Sequence, residues 1–380
     1  MIATLDVKQM ISVKSISLHR VRVPLVEPFR ISNGSIAEKE SILIELHTDD
    51  GHVGWGEASP MSGSFYSSDT PDTVWKNLTS ELIPLALNVG AINVAQFYKT
   101  LRMSSADPFA KAGIEGAMWD ALARSSNVPL YQLLGGCVRQ IPSGVAIGIY
   151  DSVDELLERV ERFTAQGYRR VKIKIEPGWD TEPIRKIRTA FPKLQLMVDA
   201  NAAYSLSDLD VFRELDKHDL MMIEQPLSRA AHAEAGELQR SLRTPICADE
   251  SAESLETLNS LIEKKAARII NIKVQRVGGL SEAKLMLNAA RDAGLECWVG
   301  TMPELGVASA QGLHFATLDG LSYPTDIEAS RRWFVEDVTE PEIEIDAQGY
   351  ISLPPGPGSE YQVSTEKLER FSVDEIRFTN

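Results

Sequence analysis

Apolar and polar positions recur with two different periods along this chain, and the change of period divides it. From Ile11 to Val23 and from Ser41 to His47, β-branched and apolar residues partly alternate with polar ones, as in half-buried strands. Asp49-Asp50-Gly51 predicts a hairpin turn before Gly54-Trp55-Gly56-Glu57. Two or three helices follow. The clearest begins at Asp107-Pro108, an N-cap with proline in the first helical position, and carries Ala110, Ile114, Ala117, Met118 and Leu122 at helical spacing. Residues 1–135 therefore predict a mixed α+β unit.

From Gly144 the texture becomes strand, turn and helix in repetition. Ser152-Val153-Asp154-Glu155 reads as a capping box ahead of Leu156, Leu157, Val160 and Phe163 on one helical face, with Gly167 as the stop. Apolar strands are predicted at 144–149, 170–175, 194–198, 220–223, 245–248, 267–272 and 296–300, each pair separated by a helical pattern. Near-continuous apolar strands alternating with helices imply a parallel sheet. No G-x-G-x-x-G follows the first strand, and the units are too many for a Rossmann half. The expected fold is α/β: a (β/α)8-type, modified TIM barrel over 136–351 with some irregular units. The α+β capping domain precedes it, and a tail from about 352 to 380, opening with a Pro- and Gly-rich stretch, returns to the cap.

A row of charged residues closes the predicted strands. Lys174, Asp199, Glu224, Asp249 and Lys273 are spaced 25, 25, 25 and 24 residues apart, one charge per βα unit. In a barrel they share the C-terminal rim, where active sites of this fold lie. Taken alone, an Asp after a strand reads as a helix N-cap and a K-x-K as a solvated edge; the shared spacing of all five argues against both. Three convergent carboxylates need a cation between them. Oxygen ligands without histidine nearby favour one Mg2+ ion, with Mn2+ as a substitute. The two flanking lysines suit removal of a proton from one face of a carbon and its return to the other. Lys172 and Lys174 point to the same face, where two ammonium groups depress each other's pKa.

Composition narrows the class. Hydrophobic residues make up 43% and charged residues 24%, ordinary for a folded protein, and the net charge of −15 argues against a nucleic-acid partner while leaving room for a small carboxylate substrate. Cys137, Cys247 and Cys297 are odd in number and widely spaced, supporting neither a disulfide framework nor a zinc site. The stretch Leu82–Phe97 is broken by Pro84, Asn88 and Asn93, so no membrane span is expected. No secretory pattern opens the chain, and a cytoplasmic, reduced protein is expected.

Lys172-Ile173-Lys174, Asp199-Ala200-Asn201, Glu224-Gln225-Pro226, Asp249-Glu250-Ser251 and Lys273 with Arg276-Val277-Gly278-Gly279 together resemble the enolase superfamily, in its muconate-lactonising subgroup. Pro28-Phe29-Arg30, Gly54-Trp55-Gly56-Glu57, Met61–Ser68 and Ile175–Asp180 are most similar to the o-succinylbenzoate synthase / N-succinylamino acid racemase family. The resemblance implies that Asp199, Glu224 and Asp249 bind Mg2+, that Lys174 and Lys273 form the acid/base pair, and that Lys172 tunes Lys174. It places Asn201 and Glu250 behind the ligands. Arg276 would either adjust Lys273 electrostatically or form a structural salt bridge. Phe29 and Tyr66 lie on loops (Phe29–Gly34, Met61–Ser68) that would close over substrate. Thr301, Met302 and Glu304 would line the pocket, where Gly300-Thr301-Met302-Pro303-Glu304-Leu305-Gly306 departs from the family's Gly-Gly-Met-x-Glu-(Ser/Thr)-Gly. The Asp-x-Asp of dipeptide epimerase relatives is not found in this region. A homo-oligomer is implied. The implied chemistry is abstraction of a proton α to a carboxylate through an enediolate, giving racemisation of N-acylamino acids, o-succinylbenzoate synthesis by dehydration, or both. A muconate-type cycloisomerase or an acid-sugar or dipeptide epimerase is the alternative; a Schiff-base lysine aldolase and a non-catalytic barrel are more remote.

Overall fold

The computed structural model describes residues 8–31, 34–63, 68–137, 140–321 and 323–379. The expected half-buried strands form an antiparallel meander of β1 (Val13–Ile31), β2 (Gly34–Thr48) and β3 (Val53–Ala58). The β2–β3 turn is the one anticipated: Gly51, at φ +89°, donates its N–H to Thr48 O at 3.1 Å. Across the meander lies α1 (Pro108–Ser125), buried on every side rather than along one stripe. Asp107 precedes it, but its side chain does not cap the helix; it accepts a hydrogen bond from Asn77 Nδ2 at 3.3 Å. Gly54 and Gly56 allow strand and helix to meet: a Cβ on Gly56 would stand 2.0 Å from Gly113 O, and one on Gly54 2.2 Å from Ala117 O.

Seven parallel strands follow: β4 (Val145–Ile147), β5 (Val171–Lys174), β6 (Leu196–Asp199), β7 (Ile223–Glu224), β8 (Ile246–Ala248), β9 (Ile269–Ile272) and β10 (Glu296–Val299). Each pairs with its sequence neighbour in a single sheet. Apart from exposed Glu296 at the start of β10, their side chains are buried on both faces, as helices on the outside of a parallel sheet require. The helix Val153–Ala165 is capped by Ser152 Oγ, which accepts the Glu155 N–H at 3.2 Å; the reciprocal half of the expected box is not made.

The eighth position of the expected barrel is not a strand. Leu321 and the stretch 323–328 occupy it, joining both edges of the sheet. Leu321 bridges to Cys297, and Asp326 N–H donates to Val299 O at 3.0 Å. On the other side Thr325 N–H donates to Pro142 O at 2.9 Å, and Gly144 N–H to Thr325 O at 2.8 Å. Too few ladder bonds form for a strand, yet enough form to close the ring.

Two short helices matter for the site: α2 (Val274–Val277), just after β9, and α3 (Gly306–Phe315), after β10. The chain ends in β11 (Ser372–Thr379), which pairs antiparallel with β1, Ile16 opposite Phe378. Among the described residues no helix is long and apolar enough to cross a membrane.

His314 of α3 ties this assembly together. Its Nδ1 accepts the Tyr131 N–H at 3.0 Å, so Nε2 carries the proton and donates to Ser359 O at 3.1 Å. Burial lowers its pKa to about 4, against about 6.5 in an unfolded chain. The neutral ring stabilises the fold fully above pH 6.5, and that contribution is lost as pH falls towards 4. It should amount to on the order of 3 kcal/mol over that window. Urea midpoints at pH 7 and 4.5 should therefore differ less in His314→Gln than in the parent; an equal pH dependence would count against this assignment.

Candidate active site

The strand register assembles the site. Lys174 stands beside Asp199 in the β5–β6 pair, and Asp199 beside Glu224 in the β6–β7 pair. Asp249 and Lys273 directly follow β8 and β9. Asp249 is not a helix cap: the next helix starts at Leu255, capped by Ser254 Oγ on the Thr257 N–H at 3.2 Å. All five side chains are buried. Lys174 and Lys273 sit four strand positions apart and line one cavity of about 40 Å3, together with Lys172, Phe29, Asp326 and Glu328.

Each carboxylate is met by a cation. Lys174 Nζ lies 2.6 Å from Asp199 Oδ2 and 3.0 Å from Asn201 Oδ1. Lys273 Nζ lies 2.9 Å from Asp249 Oδ2, while Arg276 Nη1 bonds Asp249 Oδ1. Arg276 thus shares a carboxylate with Lys273, and its Nη2 also donates to Asn271 O at 3.0 Å. Lys172 Nζ is 3.2 Å from Glu224 Oε2 and 3.6 Å from Asp199 Oδ2, with Asp326 closer still. Asn201 Nδ2 donates to Glu250 Oε1 at 3.1 Å.

The electrostatics follow from burial set against these charges. Burial would raise the Asp249 pKa, but Arg276 and then Lys273 overcome it and hold the carboxyl well below its usual range. Lys174 and Lys172 do the same for Asp199. Glu224 is pushed up to about 8 by burial and by Asp199, and Glu250 to about 7 by burial and by Asp249. Lys172 departs from expectation. Burial and Lys273 pull its pKa down, but Asp326, Glu224 and Asp199 raise it well above the ordinary lysine value. The mutual depression expected of two adjacent ammonium groups is outweighed there by three carboxylates.

Among the described residues, no three Asp, Glu, His or Cys side chains are arranged as a metal cage, because their oxygens hold lysines and arginine instead. The donor set nonetheless fits a hard dication. It offers oxygen alone, and Glu224 Oε2 is buried without a hydrogen bond while Asn271 Nδ2 holds Oε1 at 2.5 Å. Glu250 Oε2 is likewise unbonded.

Of the remaining expected residues, Phe29, Thr301 and Met302 line this cavity. Phe29 packs edge-on against Trp333, with centroids 4.7 Å apart. Thr301 and Met302 line the wall, and Thr301 Oγ1 reaches Asp326 O at 3.4 Å. Glu304 accepts the Met302 N–H at 3.2 Å, and burial followed by Glu57 raises its pKa to about 8. Tyr66 lies outside the described residues.

Sequence reasoning missed Asp326 and Glu328, and gave no role of its own to Gln225 within the Glu224-Gln225-Pro226 motif. Gln225 Oε1 accepts the N–H groups of Asp249 (2.9 Å) and Ser251 (3.1 Å), fixing the turn that presents Asp249. Asp326 joins Lys172 to Arg170, whose Nη2 is 2.7 Å from Oδ1, and is held at about 2 because Lys172 and Arg170 outweigh its burial. Two more steps of the same 24–25-residue spacing beyond Lys273 end within a few residues of Asp326, a signal that was available.

This fold and rim define a capped barrel enzyme acting on carbon acids, and comparison with known proteins gives the family. Residues 155–367 match the enolase C-terminal domain-like model, and residues 14–135 match the mandelate racemase / muconate lactonizing enzyme N-terminal domain. The chain belongs to the enolase superfamily, in its muconate-lactonizing group of o-succinylbenzoate synthases and N-succinylamino acid racemases. It is 41% identical to an o-succinylbenzoate synthase of Geobacillus kaustophilus, over 95% of this chain and 96% of that one. An N-succinylamino acid racemase of Amycolatopsis is 37% identical over 95% and 98%. A solved enolase-superfamily structure from Listeria innocua superposes with a TM-score of 0.93 at 31% identity, over 97% and 99%. Members of the superfamily are enzymes that use a divalent metal.

Removing one partner of a buried charge pair leaves the others uncompensated. Asp326→Asn should lower the stability read from urea unfolding by about 3–5 kcal/mol. An unchanged midpoint would show that Lys172 and Arg170 do not depend on it.

Proposed function

We propose that this chain racemises N-acylamino acids, N-succinylated ones in particular, by passing the α-proton between Lys174 and Lys273. One observation carries the reading: two buried lysines, four strand positions apart, open on the same cavity. Asp199, Glu224 and Asp249 would hold one Mg2+ ion, or Mn2+ in its place. Bound there, the ion supplies positive charge against the electrons that move onto the substrate carboxylate.

Lys174, released from Asp199, takes the α-proton from one face, and the C–H electrons pass into the carboxylate as an enediolate. Lys273 on the far side supplies a proton to the same carbon, inverting it. Run backwards, the two exchange roles. Asn201 orients Lys174, Asp249 and Arg276 fix the surroundings of Lys273, and Lys172 stays charged beside the ligands. Phe29 and Trp333 close the apolar side and exclude water.

Dehydration to o-succinylbenzoate is the second reading, favoured by the identity to the Geobacillus enzyme. It would use Lys174 for both proton removal and departure of water, with Lys273 as a fixed positive charge. The same reading takes residues 1–135 as cap, 136–351 as barrel and 352–380 as returning tail, and places a homo-oligomer in the cytoplasm.

Incubation of N-succinylamino acids in D2O tests the proposal. Both enantiomers should exchange the α-hydrogen as optical rotation decays. Lys174→Ala and Lys273→Ala should each abolish exchange from a different enantiomer, by about 10²–10⁴-fold. Loss of rotation without exchange would sink the racemase reading. Chelation should stop the exchange, and added Mg2+ or Mn2+ should restore it; indifference to chelation would remove the metal.

A further inference from the structure

Lys39 of β2 is completely buried, lies outside the strand-end row, and has no role in the chemistry above. Its ammonium forms no ion pair within 4.0 Å among the described residues; it donates instead to two backbone carbonyls, Pro60 O at 2.6 Å and Ser59 O at 3.1 Å. Burying an ammonium against backbone oxygens, with no paired charge, costs free energy that the rest of the fold must offset. Burial pulls its pKa down to about 8, against the opposing pull of Glu57, Glu304 and Glu40.

The position fixed is the point where the cap sheet meets the barrel. Ser59 N–H donates to Gln275 Oε1 at 3.1 Å. Gln275 is in α2, two residues past Lys273, and is itself buried. Val277 N–H bonds Lys273 O at 3.1 Å, so the turn of α2 begins on the lysine. A second connection runs beside the first. Ser41 Oγ lies 3.3 Å from Ser59 Oγ and donates to Glu57 Oε1 at 2.8 Å; Glu57 accepts the N–H groups of Leu305 and Ala308 at the start of α3. Among the described residues nothing comparable runs from Lys39 to Lys174, which is held by Asp199 and Asn201 within the barrel.

We infer that Lys39 is a positioning residue for Lys273, acting through Ser59 and Gln275, so that the cap sets the geometry of one member of the acid/base pair and not the other. The inference rests on the racemase reading, and it makes a directional claim. A displaced Lys273 slows proton removal from the enantiomer it serves; removal from the other enantiomer, by Lys174, continues.

The test measures α-hydrogen exchange in D2O separately for each enantiomer of an N-succinylamino acid, with Lys273→Ala showing which one Lys273 serves. Lys39→Met should slow exchange of that enantiomer by about tenfold or more, with less than about threefold effect on the other. Lys39→Arg should recover most of the loss, and Gln275→Met should reproduce the asymmetry without touching Lys39. Should Lys39→Met fail to fold, Gln275→Met and Lys39→Arg still decide the matter. Equal slowing of both enantiomers, or none, overturns the inference while leaving racemisation in place. A parent protein that exchanges neither hydrogen overturns both.

Discussion

Neighbouring strands in a sheet run about 4.8 Å apart, so acidic residues at the ends of consecutive strands are forced together whatever their charges. Asp199, Glu224 and Asp249 are in that situation, all buried. At such spacing two like charges repel by about 3.5 kcal/mol at the effective dielectric of a protein. The arrangement survives because cations stand on every side of it. Lys174 faces Asp199, Lys273 and Arg276 share Asp249, and Lys172 sits between Glu224 and Asp326. The compensation is incomplete at Glu224, which keeps a buried oxygen without a hydrogen bond and a pKa near 8. The residues that would do proton chemistry are thus the same ones that make the acidic cluster tolerable, and structure and reactivity at this rim have one electrostatic origin.

The cap is fixed to the barrel through carboxylates that accept backbone N–H groups. Glu57 of β3 accepts the free N–H groups at the start of α3, where the helix dipole also favours a carboxylate. Glycines 54 and 56 bring β3 against α1 at distances no side chain would permit. Glu115 of α1 in turn accepts the Ser281 N–H at 3.2 Å from the barrel side. Cap and barrel are therefore joined by buried polar bonds that tolerate little sliding.

How much of this was legible depended on whether position along the chain encoded it. The seven parallel strands could be read because burial on both faces makes their sequences continuously apolar. The rim residues could be read because each βα unit has nearly constant length, so Lys174, Asp199, Glu224, Asp249 and Lys273 keep one spacing. Asp326 escaped because the unit carrying it has no strand to mark its end. The charge state of Lys172 escaped for the same reason: the two adjacent ammonium groups were visible, but Asp326, the first of the three carboxylates that outweigh them, was not. Gln225 was seen as part of a motif, yet its hold on Asp249 arises from a tertiary hydrogen bond that no spacing encodes. The expected capping roles of Asp107 and Glu155 failed more simply, since a partner elsewhere or solvent competes for a short polar side chain.

The irregular segment that closes the ring has a consequence for how such a molecule changes over generations. The stretch 323–328 contributes Asp326 and Glu328 to the cavity wall, but among the described residues it and Leu321 are tied to the sheet edges by only a few backbone bonds. A residue within a β-ladder cannot be inserted or deleted without shifting its neighbours' register. A residue in this closing piece can be, because no ladder propagates the change. The cavity wall that holds Asp326 and Glu328 is therefore freer to vary in length and shape than the strands carrying the lysines and carboxylates. Over generations that wall can be reshaped while the strand ends that present Lys174 and Lys273 keep their register.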